Sequence, residues 1–124
     1  MGNNLCSFCG KSPESYSHLF WNCEMVKSLW NDLVEYFQLE ELRNLVWKDI
    51  HLGLEGVSNK IKLCNTLIFI IKYKIYKARS RSITPTLAEL KDTLITYRKE
   101  EYDLATKRNK IACHLLKWEC LNSL

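Results

Sequence analysis

The stretch CSFCGKSPESYSHLFWNC, residues 6–23, decides the fold of the N-terminal part of this chain. It places four metal-ligating side chains at the spacing Cys6-x2-Cys9-x8-His18-x4-Cys23. A Cys-x2-Cys turn brings two sulfurs to one ion, and structural zinc sites use four tetrahedral sulfur and nitrogen ligands. The spacing therefore predicts a structural zinc (Zn²⁺) site. Four protein ligands leave no position for a reactive water, so the same pattern argues against zinc catalysis.

The alternative is that these are ordinary cysteines and a surface histidine. Gly10 and the apolar-poor loop around it favour the metal, because such a segment has little reason to stay folded without one. The remaining thiols are interpreted differently. Cys64 lies in an apolar helical stripe and is predicted to be a core residue. Cys113, His114 and Cys120 have no fourth ligand nearby, so packing or exposure is predicted for them rather than a second metal site.

Composition indicates one helical domain. The 124 residues are 47% hydrophobic and 26% charged, with 4 Gly and 2 Pro, which is typical of an ordered chain in which helices dominate. No apolar run reaches the roughly 18 to 20 residues that span a bilayer, and we expect neither a signal peptide nor a lipid anchor. Six cysteines without a secretory signal indicate metal binding and reduced thiols in a reducing compartment.

Apolar spacing predicts the helices of the N-terminal part. Residues 17–37 have apolar side chains at helical intervals, which predicts an amphipathic helix with Ser17 as its N-cap. A shorter helical stretch is expected over residues 40–46. Residues 51–56 contain two glycines and are predicted to be a loop that ends this part of the chain.

The C-terminal part is predicted to contain the central helix of the domain. Ser58 is a suitable N-cap for this third helix, which carries a continuous apolar stripe. Thr86 and Glu89 match the capping box, so a fourth helix is expected to start there. The polar run 98–110 leaves open whether this is one helix or two. The predicted fold class is all-α: an N-terminal CCHC zinc knuckle followed by a small bundle of three to five helices.

Charge is distributed unevenly between the two parts of the chain. Residues 1–57, the predicted knuckle and first helical subdomain, contain four bases and eight acids. Within residues 58–124, which we expect to join the first part in one compact domain, positions 58–82 contain seven bases and no acid. Cations beside aromatic rings suit phosphates and unpaired bases, although lysine and arginine also suit helix C-termini in a solvated helix end. The predicted nucleic-acid-binding residues are Lys72, Tyr73, Lys74, Tyr76, Lys77, Arg79 and Arg81.

A family resemblance adds to this interpretation. Besides the four ligands, the N-terminal stretch contains Glu14 in the loop, the triplet His18-Leu19-Phe20, and Trp30 followed by Asn31. In these features it resembles the zinc-binding region found after the reverse transcriptase in LINE-type non-LTR retrotransposons. Further along this chain, the stretch Lys72-Tyr-Lys-Ile-Tyr-Lys77, together with Pro85 and Glu89-Leu-Lys91, is similar to the C-terminal segment of some members of that group. The resemblance is strong over residues 5–31 and weaker over 60–120.

The resemblance implies a C-terminal accessory domain that binds template RNA or target DNA during target-primed reverse transcription. The expected location is an intracellular ribonucleoprotein, nuclear and cytoplasmic, and the polymerase region of the same element is a second expected partner. We do not expect an enzyme, because the chain has no Tyr-x-Asp-Asp polymerase signature and no evident nucleophile pair. The alternative is a structural or protein-interaction zinc module that docks on the polymerase or a host protein, which the acid excess in residues 1–57 favours.

Overall fold

The computed structural model describes residues 4–121, and within them the chain is mostly helical, as predicted. No β-strand forms in this part of the chain, and one isolated bridge joins Leu5 to Pro13. Residues 1–3 and 122–124, which include the ends of the predicted segments 1–57 and 58–124, lie outside the described residues. The α-helices are α1 (Glu24–Phe37), α2 (Trp47–Leu52), α3 (Asn59–Ala78), α4 (Leu87–Lys107) and α5 (Ile111–Trp118).

The helix predicted over residues 17–37 is wrong at its start. The chain first forms a π-helical turn, His18–Asn22, in which the Cys23 amide donates to the His18 carbonyl at 2.9 Å. Cys23 then leaves helical geometry, with φ −57° and ψ 130°, and α1 begins at Glu24. Ser17 makes no side-chain cap. Sequence periodicity runs through this break, because the side chains on both sides of Cys23 face the same core.

The short helix predicted over residues 40–46 is also misplaced. A 3-10 turn, Glu40–Leu42, follows α1, and the α-helical turn comes later as α2. The Asp49 carboxylate accepts from the Val46 amide at 3.1 Å and so holds the start of α2. The predicted loop 51–56 consequently begins only at Gly53, after the end of α2.

The central helix is confirmed as α3. The Ser58 hydroxyl accepts from the Ile61 amide at 3.2 Å, which satisfies one of the free donors of the first turn. α3 contacts the π turn, the 3-10 turn after α1, α4 and α5, so it lies at the centre of the domain. Its buried side chains are Leu63, Cys64, Leu67, Ile68, Ile70, Ile71, Ile75 and Ala78. Cys64 is therefore a core residue, as predicted.

The question of one or two C-terminal helices has a clear answer. α4 starts with the Thr86 hydroxyl accepting from the Glu89 amide at 3.1 Å. It ends at Lys107, and Asn109 adopts a left-handed conformation with φ 55° before α5 begins. The polar run 98–110 thus contains a turn that lets α5 pack beside both α3 and α4.

A buried polar network joins α3, α4 and α5. The Glu101 carboxylate accepts from Lys117 Nζ at 2.6 Å, Trp118 Nε1 at 2.6 Å and His114 Nδ1 at 2.8 Å. Lys117 Nζ also donates to the Thr66 hydroxyl at 3.1 Å. Burial alone would raise the pKa of Glu101, but the hydrogen bonds and charge of its partners outweigh it and lower that pKa. His114 is therefore occupied by the core network.

Across residues 4–121, no helix combines the length and the apolar character that a bilayer crossing requires.

Candidate metal centre

A tight turn brings Cys6 and Cys9 to one side of the N-terminal loop, residues 4–15, which we call the knuckle loop. The Gly10 amide donates to the Cys6 carbonyl at 2.9 Å, and the Cys6 amide donates to the Ser12 carbonyl at 2.8 Å. Gly10 has φ +66°, a left-handed conformation that residues with a side chain rarely adopt. The turn therefore depends on the glycine that follows the second cysteine.

The π turn supplies the other two side chains. Ser15 Oγ accepts from the His18 amide at 3.1 Å and orients the start of this turn. A π turn is wider than an α turn, and the change to extended geometry at Cys23 directs its sulfur back to the knuckle loop. The irregular backbone that sequence periodicity missed is thus what brings His18 and Cys23 to the two knuckle cysteines.

The four side chains form one compact group, which we call the Cys3His cluster: Cys6, Cys9, His18 and Cys23. Their ligand atoms all lie within 4.8 Å of one another. The sulfurs of Cys6 and Cys23 are 3.7 Å apart, and Cys9 Sγ lies 3.4 Å from His18 Nε2. Zinc–sulfur bonds of ~2.3 Å in a tetrahedron separate two sulfurs by ~3.8 Å. The cluster could therefore hold a metal ion, and its dimensions and donor atoms are compatible with zinc.

The backbone and the burial of the cluster act in opposite directions on its thiols. The amide of Lys11, 3.5 Å from Cys9 Sγ, together with the His18 ring, lowers the pKa of Cys9 to about 6. Burial raises the pKa of Cys23 to about 11. A buried sulfur of this kind needs either a proton or a cation, and a divalent metal would remove the proton by its own charge.

Apolar side chains close the site on the side of the core. Cys6 and Cys23 are buried, as are Leu19 and Phe20 of the π turn. Trp30 on α1 is also buried, and its indole Nε1 donates to the Phe20 carbonyl at 2.8 Å. Packing against α1 therefore fixes the core side of the π turn that carries His18.

Glu14 ties the knuckle loop to the far end of α3. Its carboxylate accepts from the amide and hydroxyl of Ser7 at 3.2 and 3.0 Å, and from Arg79 Nε at 2.9 Å. The Arg79 hydrogen bond, together with the contacts to Ser7, holds the pKa of Glu14 below its usual range. Sequence reasoning noted Glu14 only as an acid in the loop, since nothing local relates it to a residue 65 positions away.

Three of the predicted nucleic-acid-binding cations make contacts within the fold. Lys72 Nζ donates to the Ile50 carbonyl at 2.8 Å. Arg79 pairs with Glu14, and Arg81 Nη2 donates to Glu89 at 2.6 Å.

The other four predicted residues face solvent or lie at the surface of α3. Tyr73 and Tyr76 are 52% and 56% exposed. Lys77 is exposed, with Nζ 5.9 Å from the centre of the Tyr73 ring, and Lys74 is half-buried. Neither lysine forms an ion pair with an acid among residues 4–121. Tyr76 and Lys77 also line a cavity of about 380 Å³ shared with Ser7 of the knuckle loop.

Within residues 4–121, the Cys3His cluster is the one group of histidine, cysteine and acidic side chains arranged to hold a metal ion. Cys113 is exposed and Cys120 half-buried, while His114 bonds to Glu101 instead. No protein-family model matches this chain, and neither a curated protein nor a solved structure is significantly similar to it.

Proposed function

We propose that the Cys3His cluster binds one zinc ion and that the chain is a non-catalytic, nucleic-acid-binding accessory domain of a LINE-type retrotransposon reverse transcriptase protein. The observation that carries the proposal is the convergence of four ligand atoms within 4.8 Å beside a helix end on which Lys77, Tyr73 and Tyr76 are exposed. In this role the domain would bind RNA or DNA during target-primed reverse transcription, within a nuclear and cytoplasmic ribonucleoprotein.

The geometry favours a structural rather than a catalytic zinc. Four protein ligands complete a tetrahedron, and two of the sulfurs are buried. The zinc would hold Cys6 and Cys9 of the knuckle loop against His18 and Cys23 at the start of the helical bundle. Because Glu14 belongs to the knuckle loop and pairs with Arg79, an ordered loop would also fix the end of α3.

The end of α3 supplies the contacts proposed for nucleic acid. Lys74 and Lys77 are available for phosphates, since neither forms an ion pair within the described part of the chain, although Lys74 lies close enough to Glu89 to lower the pKa of that carboxyl. Tyr73 and Tyr76 expose rings on which unpaired bases can stack. We assign Lys72, Arg79 and Arg81 a different role, because their donors already hold α2, the knuckle loop and the start of α4, respectively.

The test has two parts, zinc content and nucleic-acid titration. The purified, reduced chain is expected to contain one zinc. It is then titrated with single-stranded and duplex RNA at two salt concentrations, alongside the double variant Lys74→Ala, Lys77→Ala. Each lost phosphate contact lowers the salt slope by ~0.7 for single strands, so the slope should fall by ~1.4.

The matched control is the double variant Lys99→Ala, Lys107→Ala, which removes two exposed lysines from α4. It changes the net charge equally and is expected to keep most of the affinity and the salt slope. Equal losses in the two double variants would mean that net charge, rather than the end of α3, governs binding, and the assignment of this surface would be wrong.

The second candidate is a zinc module that docks on the polymerase region or on a host protein. Eight acids against four bases in residues 1–57 favour it for the knuckle half, because an acidic surface repels phosphate. Zinc binding without measurable RNA or DNA affinity, together with retention of the domain by the immobilised polymerase region, would support this candidate over nucleic-acid binding.

A further inference from the structure

A groove between α3 and α4 carries an exposed aromatic surface that the proposed phosphate contacts do not use. Its volume is about 450 Å³, and Phe69 and Tyr73 line its α3 side. Phe69 is 63% exposed, although phenylalanine is usually buried. The two rings are one helical turn apart, ~6 Å along the axis, and share one face of α3. Two neighbouring rings on an open groove can accept a flat apolar ligand.

The α4 side of the groove adds a small number of hydrogen-bonding groups to a surface that is mainly apolar. Asp92 and Glu100 form no ion pair with any residue in 4–121, and both line the groove. Thr93 donates its hydroxyl hydrogen to the Glu89 carbonyl at 2.9 Å, which leaves its oxygen as an acceptor. Carboxylates repel phosphate but accept hydrogen bonds from amino groups. The groove therefore suits a ring with amino donors and excludes the charged backbone of a nucleic acid.

Cations lie immediately beside this groove. Lys77 Nζ is 5.9 Å from the centre of the Tyr73 ring, and Lys74 follows Tyr73 in α3. A nucleotide whose base lies on Phe69 and Tyr73 can thus direct its phosphate toward Lys77. Along α3 the order is therefore two aromatic rings, Phe69 and Tyr73, followed by the cation Lys77. This order allows a base to stack on the rings while the phosphate of the same single strand contacts the lysine.

We propose that the α3–α4 groove binds an unpaired nucleobase, with Phe69 and Tyr73 as the stacking surface and one of the two α4 carboxylates, Asp92 or Glu100, as the acceptor for its amino group. The ligand of the domain is then single-stranded, because bases in a duplex are stacked on one another and paired. Cytosine is preferred to uracil, since the cytosine amino group donates where uracil presents an acceptor oxygen to the carboxylates. This inference rests on the proposed function and names its ligand.

The test uses the full zinc-loaded chain and the variant Phe69→Ala. Stacking contributes ~1–3 kcal/mol per base, so the affinity for a single-stranded oligonucleotide should fall by about 5- to 150-fold. The salt slope should stay unchanged, because no phosphate contact is lost. Phe69→Trp retains a flat ring and is expected to restore binding. The matched control is Tyr102→Ala, which removes an exposed ring of α4 that does not line the groove.

Base preference supplies the second measurement. Oligocytidine is expected to bind about fivefold or more tightly than oligouridine of equal length. The double variant Asp92→Asn, Glu100→Gln adds amide donors and should reduce this preference. Melting curves of every variant establish that it is folded, which is expected since Phe69 is largely exposed.

The outcomes separate this inference from the proposed function. If Lys74→Ala, Lys77→Ala weakens binding but Phe69→Ala behaves like Tyr102→Ala, the groove inference is wrong and the proposed function stands. Equal affinity for duplex and single strand also overturns the inference. If Phe69→Ala instead abolishes retention by the polymerase region without affecting oligonucleotides, the groove binds protein. An unmodified chain without affinity for any nucleic acid would refute both.

Discussion

Removal of the proposed zinc ion is the perturbation that bears most directly on this fold. Ordering the backbone of the knuckle loop, residues 4–15, costs at least ~12 kcal/mol at ~1 kcal/mol per residue. Three backbone hydrogen bonds and the contacts of Glu14 hold this loop, and at ~1 kcal/mol each they contribute ~6 kcal/mol. Apolar burial in the loop is limited to Cys6 and to the half-buried Phe8 and Cys9, since Leu5 is exposed. The difference of ~6 kcal/mol is the amount that a metal bound to the Cys3His cluster would have to supply.

Structural zinc can supply on the order of 10 kcal/mol, which covers this difference. A domain of this size has a total stability of roughly 6–19 kcal/mol. We therefore expect Cys9→Ser, or an excess of chelator, to lower the free energy of unfolding by ~6 kcal/mol or more. The knuckle loop and the π turn should unfold first, because α1 and α3 retain their own apolar contacts.

The assay is urea denaturation followed by circular dichroism and by tryptophan fluorescence, with and without zinc. Trp21 belongs to the π turn and Trp30 packs against it, so both report on the site, whereas Trp118 packs against Tyr97 of α4. The control is Cys113→Ser, the same chemical change at an exposed thiol. Free energies of unfolding of Cys9→Ser and Cys113→Ser that agreed within ~1 kcal/mol would refute the reasoning. A urea midpoint of the unmodified protein that chelator left unchanged would also refute it.

Three further predictions concern the helical bundle, each checked by urea denaturation. Glu101→Gln leaves Lys117, whose side chain is 14% exposed, without its ion pair and should lower the unfolding free energy by ~2–4 kcal/mol at neutral pH. The pKa of Glu101 is lowered in the folded state, so the ionised carboxylate stabilises the fold at pH values above the ordinary pKa near 4.5. This stabilisation is lost as the pH falls through the lower pKa of the folded state. The free energy of unfolding, measured from pH 6 to pH 3, should therefore decline less in Glu101→Gln than in the unmodified chain. Trp30→Phe leaves the Phe20 carbonyl without its donor and should cost ~1–3 kcal/mol. Ser58→Ala removes the N-cap of α3 and should cost ~0.5–2 kcal/mol.

Local features of the sequence predicted the helices that depend on neighbouring residues. Ser58 and Thr86 cap α3 and α4 because an N-cap acts on an amide three positions away. The apolar stripe of α3 predicted its central place, since a helix that is apolar nearly all round must be covered on several sides. The same local reasoning failed at Cys23, where periodicity continues although the backbone leaves the helix.

The metal cluster was predictable for a related reason. A Cys-x2-Cys turn followed by Gly10 restricts the positions of two sulfurs within a few residues. Bringing His18 and Cys23 to them, however, requires the π turn and the extended residue after it. The membership of the Cys3His cluster was therefore predictable from the spacing of its residues, while the backbone geometry that brings His18 and Cys23 to the knuckle cysteines was not.

Which cations are available to a ligand was decided by tertiary structure alone. The seven basic residues between positions 58 and 82 look equivalent in the sequence. In the fold, Arg79 pairs with Glu14 and Lys72 binds the Ile50 carbonyl, whereas Lys77 faces solvent beside Tyr73. The sequence by itself determined the helix caps, the buried stripe of α3 and which four side chains form the Cys3His cluster, because these depend on spacing along the chain. The partners of the charged side chains depend on which distant residues the packed helices bring within ~4 Å, and that distance exists only in the folded molecule.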